Sequence, residues 1–285
     1  MAKVIGGVFT SHVPAIGGAI AKGLQDDPYW KPFFDGFRPV HEWLNRNKPD
    51  YVVTFSNDHG LNFFLDKMPT FAVGAAAQYD NADEGWGLPI FNSVPGSPDF
   101  SWHIINTLVE EEFDIVTCQE MLIDHALSIP LELSWPDLKS YDFKLVPVCI
   151  NTVQHPLPSP KRALALGRAV HKAIQSWDAD AKVLIFGTGG LSHQLDGERA
   201  GFMNPDYDKF CLDNLPSNPD ALSQHSALDI VELSGSQGIE ILNWIAARGA
   251  MGDPVKEASR NYHIPISNTA AATVLMTTEH ALAPA

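Results

Sequence analysis

The chain has 285 residues, long enough to bury roughly three quarters of its unfolded surface in one large domain. Lys and Arg number 19 against 34 Asp and Glu, a formal net charge of -15, and with no local basic patch this argues against nucleic acid or another polyanion as partner. Hydrophobic residues at 45% and charged residues at 19% exclude a disordered chain, and no run approaches the roughly 20 apolar residues of a membrane helix.

Cys118, Cys149 and Cys211 are odd in number, widely spaced and outside any CxxC pattern, which points to a reducing compartment rather than a disulfide framework. The N-terminus reads as a strand and not as the apolar region of a signal peptide, so a cytoplasmic protein is expected.

Val4 to Phe9 is an apolar run ending in Thr10-Ser11-His12. Pro14 to Leu24 and Tyr29 to Leu44 carry apolar residues three and four apart, the pattern of amphipathic helices lying on a sheet. Tyr51 to Phe55 has no polar alternation, as in a strand buried on both faces, and stops at Ser56-Asn57-Asp58-His59-Gly60. Polar clusters at the carboxyl ends of such strands are where open α/β sheets place ligands. If the two strands are parallel neighbours, His12 and His59 share a rim and can grip one ion. The alternative is two satisfied structural histidines.

Thr70 to Ala76 is a further apolar segment. Tyr79 to Pro98 contains Asp83-Glu84-Gly85-Trp86-Gly87 and three prolines; so long a Gly- and Pro-containing loop is expected to serve as a lid or partner surface. Asp99 to Glu112 reads as a helix, Phe113 to Cys118 as a strand, Asp124 to Leu133 as a helix with His125 near its start, and Lys144 to Ile150 as a strand. Ser159 to Trp177 reads as a helix opened by Ser-Pro, and Lys182 to Gly187 as a strand. The alternation predicts a single three-layer α/β/α domain over residues 1–285 around a largely parallel or mixed sheet. Asn204 to Ser236 is polar and reads as irregular, and residues 277–285 are expected to fray.

Strand Val183 to Phe186 runs into Gly187-Thr188-Gly189-Gly190-Leu191-Ser192-His193-Gln194. The glycines permit a sharp turn that puts His193 at a third strand end, and an ordinary pKa of about 6.5 suits it to take and return a proton. As a phosphate cradle the run lacks the P-loop Lys and Ser/Thr. His125 either donates to a bound ligand or only sits near a helix N-terminus.

Ser234 and Gln237 fit a capping box opening the last helix, in which Glu240 lies among Ile239, Ile241, Leu242, Trp244 and Ile245. A buried carboxylate is costly without a cation or partner, so Glu240 is either a third metal ligand or the partner of Arg248. Two histidines and one carboxylate leave half an octahedron open, the arrangement of non-haem Fe(II) oxygenases. Ser267, after Ile264-Pro265-Ile266, is a candidate for a substrate carboxylate or an ordinary turn residue. Asn57 is a second candidate for substrate contact, and the remaining histidines read as structural or surface.

Thr10-Ser11-His12-Val13-Pro14-Ala15, Ser56-Asn57-Asp58-His59, Ala82 to Gly87, Asp124-His125, Gly187 to Gln194, Gly235 to Glu240 and Ile264 to Thr269 follow one another along nearly the whole chain. Together they resemble the class III extradiol ring-cleavage dioxygenases, in particular the catalytic β subunits of protocatechuate 4,5-dioxygenases. The resemblance implies Fe(II) held by His12, His59 and Glu240, His193 as acid/base, His125 assisting beside the ligand, and Ser267 near a substrate carboxylate. It implies opening of protocatechuate by O2 to 4-carboxy-2-hydroxymuconate semialdehyde, with gallate, a methoxylated catechol acid or an aminophenol as alternative substrates. A metal-binding protein of the same fold without ring cleavage, or a zinc hydrolase, are the readings outside that chemistry. The family's enzymes pair this subunit with a small, mainly helical α subunit, or in gallate dioxygenases carry a C-terminal equivalent. A separate small partner in a heterodimer or heterotetramer, or none, is therefore expected here.

Overall fold

The computed structural model describes residues 1–85, 92–136 and 140–282. Its strands are β1 (Lys3–Thr10), β2 (Tyr51–Ser56), β3 (Phe71–Gly74), β4 (Gln78–Asn81), β5 (Val94–Pro95), β6 (Val116–Cys118), β7 (Leu122–Ile123), β8 (Lys144–Ile150), β9 (Lys182–Thr188), β10 (Lys256–Ile266) and β11 (Thr269–Thr277). Its helices are α1 (Pro14–Ala21), α2 (Lys31–Asp35), α3 (Arg38–Arg46), α4 (Pro98–Glu110), α5 (His125–Ser134), α6 (Pro160–Ser176), α7 (Pro205–Ser217), α8 (Pro219–Leu222), α9 (Ala227–Ser234) and α10 (Ile241–Met251).

The runs without polar alternation form the middle of an eight-stranded sheet, in the order β10-β11-β1-β9-β2-β8-β3-β6. Strands β1, β9, β2 and β8 are parallel, β3 is antiparallel to β8, and the β10–β11 hairpin adds antiparallel to β1. Successive residues of β9 serve opposite faces: Val183 and Ile185 pack with α4, α6 and α10, while Leu184 and Phe186 pack with α1, α3 and α5. Both faces are apolar, so the strands need uninterrupted hydrophobic sequence. The expected α/β/α layering is the observed one. No described helix is long and apolar enough to cross a membrane.

One expectation about the sheet is corrected. Strands β1 and β2 are not neighbours, because β9 lies between them and pairs with both. Parallel connections cross over the sheet, so sequence order does not set strand order. The consequence favours a shared site: three parallel strands deliver His12, His193 and His59 to one rim.

The segment 204–236 is also corrected, from irregular to helical. The Asn204 side chain accepts the Tyr207 N–H at 3.2 Å, with Pro205 in the first turn, and Ser226 forms a reciprocal capping box with Asp229. An Asn-Pro pair that looks like a loop signal is here a helix start: the Asn caps, and the Pro lacks only an N–H that would have no partner. Ser234 is correspondingly not an N-cap. It ends α9, its hydroxyl donates to the Ile230 carbonyl at 2.7 Å, and Gly235 at φ 90° turns the chain away. Gln237 leads instead into a single 3-10 turn, Gly238–Glu240, and Glu240 sits at the start of α10 rather than within it.

Smaller differences concern ends. The expected Tyr29–Leu44 helix is the pair α2 and α3. Within the expected frayed tail, Thr277 closes β11, the Thr278 hydroxyl donates to the Val4 carbonyl at 2.6 Å, and the Leu282 N–H donates to Asn47 Oδ1 at 2.7 Å. Residues 283–285 of that tail, and residues 86–91 of the expected lid, lie outside the described residues.

Asn204→Ala removes a formed cap and should cost about 1 kcal/mol, read as a lower denaturation midpoint at unchanged slope. Asn218→Ala, at an N-cap position without a side-chain cap bond, should cost less than half as much in the same measurement.

Candidate active site

Each histidine on the rim follows an element that aims it. His12 follows β1, His59 follows β2, His193 follows β9, and His125 is the first residue of α5. All but His59 are buried; His59 is partly exposed.

Every one of the four rings is held by its Nδ1 edge. His12 Nδ1 meets Thr188 Oγ1 at 3.3 Å, and His193 Nδ1 donates to the Leu191 carbonyl at 2.9 Å. His59 Nδ1 donates to Asp124 Oδ2 at 2.9 Å, and His125 Nδ1 to Glu84 Oε2 at 2.6 Å. The carboxylate or carbonyl acceptors on His59, His125 and His193 make Nδ1 the donor and turn Nε2 towards the site, the usual support of metal-binding histidines, while the Thr188 hydroxyl orients the His12 ring.

Glu240 occupies the centre of this arrangement. Its Oε1 lies 3.3 Å from His12 Nε2 and 3.5 Å from His59 Nε2. It also accepts from Asn57 Nδ2 at 3.2 Å, while Oε2 accepts the Gly190 N–H at 2.7 Å. The glycine turn exists for this contact: a Cβ on Gly189 would lie 2.8 Å from Glu240 Cβ. The Gly-rich loop thus cradles a carboxylate of the chain itself. Arg248, the alternative partner, is bonded elsewhere, to the carbonyls of Leu215, Pro216 and Gly252 and to Asp253.

The electrostatics follow from burial and these contacts. Burial pushes the Glu240 carboxyl up, but the charges of His12 and His193 and the hydrogen bonds from His12 and His59 outweigh it and hold it well below the ordinary carboxylate range. Burial disfavours the His59 imidazolium, yet Asp124 and Glu240 outweigh it and raise its pKa to about 10. Asp124 is opposed by burial and held low by His59 and His125. His125 is pushed down, by burial first and by the charge of His59 next. Two buried carboxylates among these rings make a place where positive charge is favoured.

The donor set fits a metal. Nitrogen and carboxylate donors bound at about 2.0–2.2 Å in adjacent positions are themselves roughly 3 Å apart, close to the 3.3 and 3.5 Å observed. A second grouping is present: one ring nitrogen from each of His12, His59 and His125 lies within 4.8 Å of the others. Glu240 contributes what that trio lacks, a full negative charge touching two of the rings.

Asn57 is buried, and its amide oxygen accepts from Asn243 Nδ2 at 3.1 Å. Ser267 is exposed at the tip of the β10–β11 hairpin with φ 56°, its N–H donating to the Tyr29 hydroxyl at 3.2 Å. Two residues on, Thr269 forms a β-bridge with His193, so the hairpin tip borders the site. Sequence reasoning assigned no role to Asp124, Glu84, Thr188 or Asn243. Asp124 carried a signal, an Asp directly before a helix; it caps α5 through the Ala126 N–H at 2.9 Å while holding His59.

The chain matches the family described as "Catalytic LigB subunit of aromatic ring-opening dioxygenase" over residues 6–274. It is 34% identical over 204 residues to a gallate dioxygenase of Pseudomonas putida KT2440, covering 72% of this chain and 60% of that protein. It is 31% identical over 205 residues to a 2,3-dihydroxyphenylpropionate/2,3-dihydroxicinnamic acid 1,2-dioxygenase of Photorhabdus laumondii, covering 71% and 60%. The match thus spans about three fifths of the length of these curated relatives. In fold it is similar to the crystal structure of the uncharacterized protein JW3007 from Escherichia coli K12, with TM-score 0.56, 14% identity and coverage of 95% and 99%. With the family match extending over nearly the whole sheet and across every residue of the rim, the chain belongs to the LigB family of catalytic subunits of aromatic ring-opening dioxygenases.

Proposed function

We propose that this chain is the catalytic subunit of an Fe(II)-dependent extradiol dioxygenase that opens protocatechuate with O2 to 4-carboxy-2-hydroxymuconate semialdehyde. The observation that carries the reading is the convergence of His12 Nε2, His59 Nε2 and Glu240 Oε1 at 3.3 and 3.5 Å. Two histidines and a carboxylate on one face leave neighbouring positions for two guests. A bound ferrous ion supplies Lewis acidity towards the two ring oxygens of a catechol and a redox route between ring and O2.

The side chains then divide the remaining work. His193 donates Nδ1–H to Leu191 and keeps its other nitrogen to accept a phenolic proton and later return it. His125 stands beside His59, ring centroids 4.0 Å apart, and assists at the ligand. Ser267 at the rim and Asn57 beside Glu240 are the proposed contacts for the substrate. The reading includes a small helical partner subunit, and a cytoplasmic location in keeping with three free, buried cysteines.

Gallate is the second reading, favoured by the identity to a gallate dioxygenase. Both acids share the vicinal hydroxyls and the carboxylate and differ by one hydroxyl. O2 uptake by the anaerobically Fe(II)-reconstituted chain, compared across protocatechuate, gallate, a methoxylated catechol acid and an aminophenol, ranks them: highest kcat/KM on protocatechuate is expected, and highest on gallate would replace it. No uptake on any of them would refute the dioxygenase reading.

His193→Ala should retain iron and lose about 100-fold or more in kcat, the usual worth of a general acid/base. His12→Ala and Glu240→Ala should instead emerge without iron by elemental analysis. Asp124→Asn, which keeps shape but weakens the hold on His59, should lower iron affinity by about 10–100-fold in a chelator competition.

A further inference from the structure

The 82–85 segment reaches the site through one side chain. Glu84 comes from a loop, yet its side chain is only 8% exposed. Its Oε1 accepts the His125 backbone N–H at 2.7 Å and its Oε2 accepts the His125 ring Nδ1–H at 2.6 Å. His125 opens α5, where backbone N–H groups have no partner within the helix, so a single carboxylate satisfies the helix start and grips the ring. Asp124, one residue earlier, does the same for His59, accepting its backbone N–H and its Nδ1–H, both at 2.9 Å. The two held rings stack on each other.

An ionised carboxylate only accepts hydrogen bonds. With Glu84 in place, Nδ1 of His125 carries the proton and the neutral ring's Nε2 is a bare lone pair on the opposite edge, beside His12 and His59. We infer that Glu84 is a positioning residue that sets the orientation and tautomer of His125, so that the site offers an acceptor to a hydroxyl of the aromatic substrate. The substrate part of this inference rests on the dioxygenase reading; the tautomer part does not. Glu84 thereby ties the 82–85 segment to the chemistry: the ring is correctly presented only while that segment is docked.

Glu84→Gln is the informative change because it keeps the shape. The backbone N–H of His125 can only donate, so the glutamine oxygen stays there and its NH2 faces Nδ1. Nδ1 then accepts and the ring proton moves to Nε2, turning an acceptor into a donor. Long-range 1H–15N spectra of the full chain labelled in histidine should show His125 as the Nδ1–H tautomer in the wild type and as Nε2–H in Glu84→Gln. With the preferred catechol acid, Glu84→Gln should lose about 10–100-fold in kcat, with KM and iron content little changed. In a His125→Ala background the same substitution should have no further effect, because partners acting as one unit are not additive.

Unchanged His125 nitrogen shifts in Glu84→Gln would overturn the inference. So would an equal loss of kcat in the His125→Ala background, which marks a role in holding the loop alone. If the wild-type chain consumes no O2 with any catechol, it is the dioxygenase reading that fails, and the nitrogen shifts alone decide the role of Glu84.

Discussion

A carboxylate removed from water has to be compensated, and much of the upper rim of this protein is arranged around doing so for Glu240. Its two oxygens meet two imidazole edges, an asparagine amide and a backbone N–H. Each of those groups is itself fixed: His12 by Thr188, His59 by Asp124, Asn57 by Asn243, and Gly190 by a turn that admits no side chain. An isolated buried ion pair contributes little to stability once desolvation is counted. A negative charge held rigidly against two imidazole edges, each ring anchored at its other nitrogen, is better explained by what it can bind.

The sheet is the reason such rigidity is possible. Four parallel strands at its centre end on one edge, and the two apolar layers on either face fix their register. The ligand-bearing residues lie on or just past strand ends and helix starts rather than on long loops, where sub-ångström placement is hardest to hold. Glu240 is supplied by the 3-10 turn before α10, whose packing on α6 and β9 closes the arrangement. The site is therefore built from distant parts of the chain, and its two supporting carboxylates, Asp124 and Glu84, come from a helix cap and a loop.

What was legible in the sequence had a local physical cause. Val183 to Phe186 and Tyr51 to Phe55 could be read as strands because burial on both faces demands unbroken apolar runs. His12, His59 and His193 could be singled out because each stands just past such a run. Strand order was not legible: nothing in the residues of β1 and β2 says that β9 separates them. The helices after Asn204 are not legible in the sequence because caps and turns use the same residues, Asn, Ser, Asp and Pro, and only the hydrogen bonds tell them apart. Glu84 was invisible for a related reason. Its partner lies 41 positions away, and a glutamate in a polar loop carries no sign that its side chain is buried.

The account turns on which side chains hold one metal ion, and anomalous diffraction at the iron edge from crystals grown anaerobically with Fe(II) addresses that directly. A single peak within about 2.2 Å of His12 Nε2, His59 Nε2 and Glu240 Oε1 is the predicted result. A peak bound through His125 with Glu240 left outside, or iron found only away from this rim, would contradict it.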